Sequence, residues 1–322
     1  PLFLRYDVFT VQVFTQFAAF YDYRAAVIFS IPLLMLILVM LLVERFSLRD
    51  QFFGVVGRKA RSEASAPLGR FRIPISGLVF TFASLAVLLP ICALFITSRS
   101  LSSYLEAISG SGQSITNSLL DAALAATAIT VLGFFLAYLV ERSRRTRRNG
   151  IDSLLILLFA VPGTVLGVGL ILLWNHAATA FLCRTSLVIL LGYTAKYTVL
   201  ATRIQGIALR QVPKSYEEAS RLARVRWGTE IIRIHIPTLR KALMASWLIA
   251  FIFCLRDLDT VITVSPPGSE TLPVRIYTLM ANSPDPVVAA LSLILVLITL
   301  AALTATLLLF SKESLRVHHE NY

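Results

Sequence analysis

Seven apolar stretches, each long enough to cross a lipid bilayer, restrict this chain more than any motif does. They run roughly over 25–43, 74–97, 115–140, 151–174, 185–204, 242–263 and 287–310. About 20 helical residues span the hydrocarbon core of a membrane. In lipid every backbone polar group needs an internal partner, so only helices or closed barrels cross. The runs are continuous and lack period-two alternation, which excludes a barrel. Composition agrees: of 322 residues 57% are hydrophobic and 15% charged, with a mean hydropathy of +0.76. The expected fold is an all-α, polytopic transmembrane helical bundle.

The formal net charge of +12 would suggest nucleic acid in a soluble protein. Its distribution points elsewhere. One set of polar segments is basic: 44–72 (Arg45, Arg49, Arg58, Lys59, Arg61, Arg70, Arg72), 141–150 (Arg142, Arg144, Arg145, Arg147, Arg148), 203–241, and the tail with Lys312 and Arg316. The other set carries only Arg5 and Arg24, then Arg99, Arg184 and Arg275. The two sets alternate along the spans. The positive-inside rule then puts the basic set and the C-terminus in the cytoplasm and residues 1–24 outside. No nucleic-acid partner is needed; membrane lipid is the surrounding medium. Cys92, Cys183 and Cys254 are far apart and form neither a disulfide framework nor a zinc pattern. His318 and His319 sit in a polar tail and are read as solvated rather than as metal ligands. No metal and no cofactor is expected.

The segment from Arg203 to Lys241 is long for a loop between spans. Pro213 suits a helix start, Ser215 is a candidate cap, and Glu217 and Glu218 fall in the first turn, where the helix dipole favours them. Ala219, Leu222 and Ala223 form a narrow stripe of small apolar residues at i, i+3, i+4. Gly228 is placed to turn the chain, and Pro237 to stop the next helical piece before the following span. A short amphipathic helix of this kind suits docking in another protein's groove. Arg221, Arg224, Arg226 and Arg233 equally suit a helix lying on anionic lipid. Periodicity leaves both readings open.

Glu218-Ala219-Ser220, followed at the expected distance by Ile234-x-Ile236-Pro237, resembles the EAA loop of binding-protein-dependent ABC importer permeases. The family pattern is Glu-Ala-Ala, three residues, Gly, nine residues, Ile-x-Leu-Pro. Ser220 replaces the second Ala and Ile236 the Leu. Arg224 occupies the glycine position, which puts the usual turn there in question, with Gly228 as a substitute source of flexibility. The resemblance implies a type I importer permease fold in the bacterial inner membrane. It also implies separate cytoplasmic ATPase subunits and a periplasmic substrate-binding protein as partners, with Glu217 to Trp227 as the coupling helix. ATP hydrolysis is expected on the partner, since the chain has no GxxxxGK[ST] loop; Gly54 to Ala60 has the wrong spacing. Neither HExxH nor GxSxG is present, so an intramembrane enzyme lacks its chemistry.

The stretch from Ala160 to Gly169 looks like the Pro-Gly-containing span of the iron(III)-type branch of that family. Pro162 and Gly163 suit either a pore-lining break or helix packing through Gly163, Gly167 and Gly169, with packing preferred. Lys196 in the 185–204 span, and Asp121 near the outer end of 115–140, are costly in lipid unless turned inward or to the interface. Arg256, Asp257 and Asp259 cluster at a span end. They suit pairing with one another, contact with the binding protein, or a place on the translocation path. A transporter driven by an ion gradient is the alternative class, with Asp121 its one embedded carboxylate. Residues 264–275, with Pro266-Pro267-Gly268, are read as an external turn.

Residues 13–29 align without gaps on 276–292: Val13-Phe14-Thr15 with Ile276-Tyr277-Thr278, Ala18 with Ala281, Asp22 with Asp285, Ala26 with Ala289. Together with the fused two-half architecture of the iron(III)-type branch, this makes 1–73 the expected last loop, last span and linker of a mostly missing first half. Residues 74–322 are then a second half with six spans. A single half with one extra helix is the alternative. The substrate suggested by the branch is iron(III), although related permeases serve thiamine, polyamines, sulfate or phosphonates.

Overall fold

A computed structural model describes residues 8–20, 22–47, 72–143 and 145–319. Arg5, most of the basic 44–72 segment and the fragment Gly54 to Ala60 lie outside the described residues.

Every described element is helical: α1 Phe9–Ala18, α2 Tyr23–Ser47, α3 Arg72–Thr97, α4 Leu101–Arg142, α5 Arg145–Ala160, α6 Gly163–Trp174, α7 Ala180–Cys183, α8 Leu187–Gln211, α9 Lys214–Leu222, α10 Trp227–Glu230, a π-helical turn Ile231–His235, α11 Ile236–Arg256, α12 Val261–Val264, α13 Leu272–Asn282 and α14 Asp285–His319. Among the described residues six helical stretches are long and apolar enough to cross a membrane: Arg24–Val43, Ile73–Thr97, Leu101–Arg142, Leu187–Gln211, Trp227–Arg256 and Asp285–Leu308. The expected all-α multi-pass bundle is what the chain forms.

The core is the contact of α4, α8 and α11. On α4 the buried residues are small and recur every three or four positions: Ser103, Ala107, Ser111, Ser114, Ser118, Ala122, Ala125, Ile129, Gly133, Ala137 and Val140. In lipid, close backbone approach supplies the packing that hydrophobicity cannot, and small residues allow it. At Gly133 a Cβ would collide with Ala201 of α8. The α4 spine meets Val188, Ile189, Tyr193, Tyr197 and Ala201 of α8, and Ala250, Cys254 and Leu255 of α11. By contrast α3 turns Ile73, Leu78, Phe80 and Phe82 outward, as a helix bathed in lipid does.

Four expectations need correction. The 151–174 span is not one helix: α5 and α6 meet at an angle of 105° across Val161-Pro162. Proline has no N–H to donate and its ring excludes the carbonyl four residues back, so the helix ends there instead of kinking. The 242–263 span stops at Arg256; Asp257 is the cap, and the chain folds back through α12 onto α6. The 115–140 span belongs to the 42-residue α4, about 63 Å long at 1.5 Å per residue, which projects beyond any bilayer core. Its N-terminal half holds residues 264–275, expected as a turn throughout; the turn gives way to α13 at Leu272. Ser118 Oγ accepts from Leu272 N at 2.5 Å, and Arg275 donates to Ser111 Oγ and to Gly110 O. The Pro266-Pro267-Gly268 turn is present, with Gly268 at φ 82°.

The repeat has a structural counterpart. The helix starts Phe9 and Leu272 stand 263 residues apart (272 less 9), and each short helix leads within a few residues into a long apolar one. Helices α1 and α13 face each other across a cavity of about 380 Å³, to which Val11 and Phe14 contribute from one side and Ile276 and Tyr277 from the other.

Candidate functional site

Two places hold the singled-out residues. The first is the segment after α8. Pro213 precedes α9 and its carbonyl accepts from Tyr216 N at 3.2 Å, so the helix begins at Lys214; Ser215 lies inside it and is not its cap. The helix is turned opposite to the usual sense. Glu217 and Ser220 are buried, while Glu218, Ala219, Leu222 and Ala223 are exposed, Leu222 to 86%. Ser220 Oγ donates to Tyr216 O at 2.9 Å, so its hydroxyl is satisfied within the helix. Glu217 pairs with Arg142 at the end of α4.

Arg224 is the only non-glycine residue with positive φ among the described residues, at 52°. Val225 N donates to Ser220 O at 3.0 Å, a bond closing six residues. That is the C-terminal cap in which the residue after the last helical turn takes the left-handed conformation, usually as glycine. The turn expected at a glycine is therefore kept by an arginine. Gly228 supplies nothing in its place, because it lies within α10. The Trp227 ring rests 6.3 Å from both Phe135 and Tyr138 of α4. Pro237 does not stop the helical piece; it sits in the first turn of α11, which runs on through Arg256. The strain is taken up upstream in the π-helical turn that contains Ile234, since Pro237 offers no donor to Arg233. That turn carries His235, the free position of the Ile-x-Ile-Pro pattern, inward to complete burial beside Glu230. Periodicity does not single out Arg142, Glu230 and His235; the one signal is a histidine set between Ile234 and Ile236.

The second place is the break between α5 and α6. Gly163 N, freed at the new helix start, donates to Asp259 Oδ2 at 2.5 Å. A Cβ at Gly163 would meet Thr260 and Asp259, and one at Gly167 would overlap Thr263; nothing lies near Gly169. Packing and break therefore coexist: the two glycines, one turn apart, let α6 lie against 257–263. Lys196 of α8 reaches Asp257 Oδ2 at 3.3 Å and Thr260 Oγ1 at 3.1 Å. Tyr197 and Thr260 also donate to Asp257 Oδ2, at 2.8 and 2.7 Å, and Thr260 N donates to Oδ1 at 3.0 Å. The Asp257 side chain is 1% exposed. Of the three readings of Arg256, Asp257 and Asp259, mutual pairing is not what the chain forms: Asp257 goes to α8, Asp259 to the α6 start, and Arg256 is exposed with no ion pair among the described residues. A buried carboxylate must find its countercharge nearby, and Lys196 is closer to hand than a neighbour that points outward.

Lys196, Tyr197, Phe253, Arg256, Asp257 and Asp259 line a cavity of about 410 Å³. Asp259 and Leu258 also line the cavity between α1 and α13, so the 258–259 corner separates the two spaces. Asp121 is buried elsewhere on α4, with Oδ2 unpartnered.

A bundle of crossing helices, one broken beside a charged cavity and another preceded by a displayed helix with its apolar side outward, is the architecture of a transport permease. Residues 129–312 match the binding-protein-dependent transport system inner membrane component family, and the chain belongs to that family. It is 30% identical over 169 residues to a provisionally named ferric transport system permease protein, FbpB 1, of Haemophilus influenzae, covering 52% of this chain and 26% of that one. It is 30% identical over 205 residues to the putrescine transport system permease protein PotI of Escherichia coli K12, covering 62% and 73%. The chain thus spans about a quarter of the ferric relative's length and nearly three quarters of the putrescine relative's. The fold is shared with a bacterial alginate ABC transporter crystallised with its alginate pentasaccharide-bound periplasmic protein: TM-score 0.59 at 11% identity, over 74% of this chain and 94% of that one.

Proposed function

We propose that the chain forms the membrane pathway of an ATP-driven importer and hydrolyses no ATP itself. The basic end of the bundle, with α9 and the C-terminus, faces the cytoplasm, and the 264–286 segment faces a substrate-binding protein on the other side. The observation that carries the reading is the inverted α9: a short helix that buries its carboxylate against its own protein and exposes Leu222, Ala219 and Glu218 has its apolar side free for a partner. A membrane-surface helix would turn that side into lipid. Closure of ATPase subunits would move α9 and the attached α11 as a rigid body. The α5–α6 break and the Asp259 corner lie on the proposed path, where the exposed Arg256 and Asp259 would meet a polar cargo and the Lys196–Asp257 pair would hold the wall behind them. Iron(III) is the cargo we favour from the fused-branch resemblance, with putrescine the competitor named by the second relative.

The test is uptake into proteoliposomes holding the permease with its ATPase, supplied with the cognate binding protein and either cargo. The expected result is uptake that requires ATP inside and the binding protein outside. Asp121, buried with one oxygen unpartnered, sustains the ion-gradient alternative. Uptake driven by a proton or sodium gradient without the ATPase, and abolished by Asp121→Asn, would establish that alternative.

A further inference from the structure

The cavity between α1 and α13 differs in chemistry from the charged cavity beside it. Its walls are mostly apolar, with Phe14 from α1, Ile262 from α12, and Ile276, Tyr277 and Met280 from α13. Phe14 and Tyr277 occupy equivalent positions of the 263-residue repeat, so the two related helices turn the same aromatic position toward one space. Asp259, at the corner, is the only charged residue among the described residues that line it. Its Oδ2 accepts from Gly163 N at 2.5 Å, and it makes no ion pair among the described residues. The cations nearby are engaged or turned elsewhere: Lys196 is bonded to Asp257, and Arg256, which lines the charged cavity with Asp259, makes no pair with it. At about 380 Å³ the cavity falls within the roughly 300–1,000 Å³ of small-molecule sites.

We propose that this cavity binds an organic cation carrying a single ammonium on an apolar body, with Asp259 as its counter-ion and Phe14 and Tyr277 as its aromatic walls. A carboxylate at the edge of an apolar space is matched by a cation that brings apolar surface with it. An aromatic face attracts an ammonium group as well as packing on its hydrocarbon. A small hydrated ion would exchange its water for apolar walls, which costs free energy without compensating ligands. A diamine would satisfy Asp259 with one ammonium and press the second against those walls. A neutral occupant, such as a lipid acyl chain, would fill the space and leave the carboxylate without a partner. Asp259 also stands on the proposed path, so a part for this site in uptake rests on that reading. Occupancy of the cavity does not.

The test is calorimetric titration of the full chain in detergent, without ATPase or binding protein. The probes are phenethylammonium, its neutral analogue 2-phenylethanol, and putrescine. The expected result is saturable binding of phenethylammonium, about tenfold or more tighter than either control. Asp259→Asn keeps an acceptor for Gly163 N and should weaken phenethylammonium by about tenfold or more, with 2-phenylethanol unchanged. Val11→Trp, which adds bulk to the α1 wall and leaves the carboxylate in place, should abolish binding; it decides the matter should Asp259→Asn fail to fold. Equal binding of 2-phenylethanol, or native affinity in Asp259→Asn, would overturn the counter-ion in favour of a neutral occupant such as an acyl chain. Putrescine binding more tightly than phenethylammonium would overturn the single ammonium, and no saturable binding to native protein would overturn the site. Phenethylammonium binding in a chain that shows no ATP-driven uptake would sink the transport reading and leave the site standing.

Discussion

Two of the buried clusters of ionisable side chains, around Asp257 and around His235, are built differently. At Asp257, four donors from Lys196, Tyr197 and Thr260 converge on one carboxylate at 2.7–3.3 Å, inside the bundle. At His235, contacts of 3.4 and 3.9 Å leave both ring nitrogens without a hydrogen bond, at the edge of the bundle beneath a displayed helix. A fully satisfied buried network rigidifies its surroundings, and a partly satisfied one is where alternative arrangements become accessible. Asp257 therefore acts as a fixed rivet between α8 and the chain that returns to the broken span. His235 sits in the looser cluster, beneath the helix proposed above as the docking element.

The comparison can be broken most readily at the rivet. Asp257→Ala strands Lys196 without its carboxylate and should destabilise the protein by about 3–5 kcal/mol, seen as a lowered thermal midpoint in detergent; the pair Asp257→Asn, Lys196→Met should recover most of it. An unchanged midpoint in Asp257→Ala would remove the rivet from consideration. Gly167→Ala drives a methyl into Thr263 and should cost roughly 1–3 kcal/mol, whereas Gly169→Ala, facing open space, should be silent. Equal effects at both would mean that α6 does not lean on 257–263 as described.

Arg224 offers a gain in place of a loss. A side-chain-bearing residue in the left-handed region costs about 1–2 kcal/mol, so Arg224→Gly should stabilise the protein by about 1 kcal/mol. A destabilised Arg224→Gly variant would show that the guanidinium makes a contact worth more than the strain. The smallest effect on folding belongs to Leu222→Ser, within about 0.5 kcal/mol because the side chain is exposed. Its effect on ATPase capture should nevertheless be large, and intact capture would move the docking surface off the apolar side of α9.

Much of this was legible in the residues. The continuous apolar runs announced helices, six of the seven expected spans being single helices long enough to cross a membrane among the described residues, and the charge alternation gave an orientation to test. Pro162-Gly163 marked a disturbance, but its size depends on Gly163 and Gly167 meeting Thr260 and Thr263 from a distant stretch, which no local pattern carries. The small-residue spacing on α4 ran well past the apolar window, so a hydropathy reading stopped at 115 where the helix begins at Leu101. In the loop, motif spacing located α9, Arg224 and Pro237, and the stripe of Ala219, Leu222 and Ala223 faces outward as a docking or lipid-facing side would; the inward side of the helix, with buried Glu217, carried no such signal. Its inward partners are charged, and charge burial depends on countercharges that only the fold assembles. Asp257 illustrates the same limit: its sequence neighbour Arg256 was the natural partner, and the fold chose Lys196, 61 positions away.

The functional reading turns on whether α9 holds an ATPase. The direct measurement is co-purification in detergent of the tagged permease with its ATPase, with native sequence and with Glu217 to Trp227 replaced by a Gly/Ser linker. Docking predicts capture by the native chain and its loss in the replacement, while the replacement stays monodisperse and folded. Capture that survives the replacement would contradict the assignment of this helix as the coupling element.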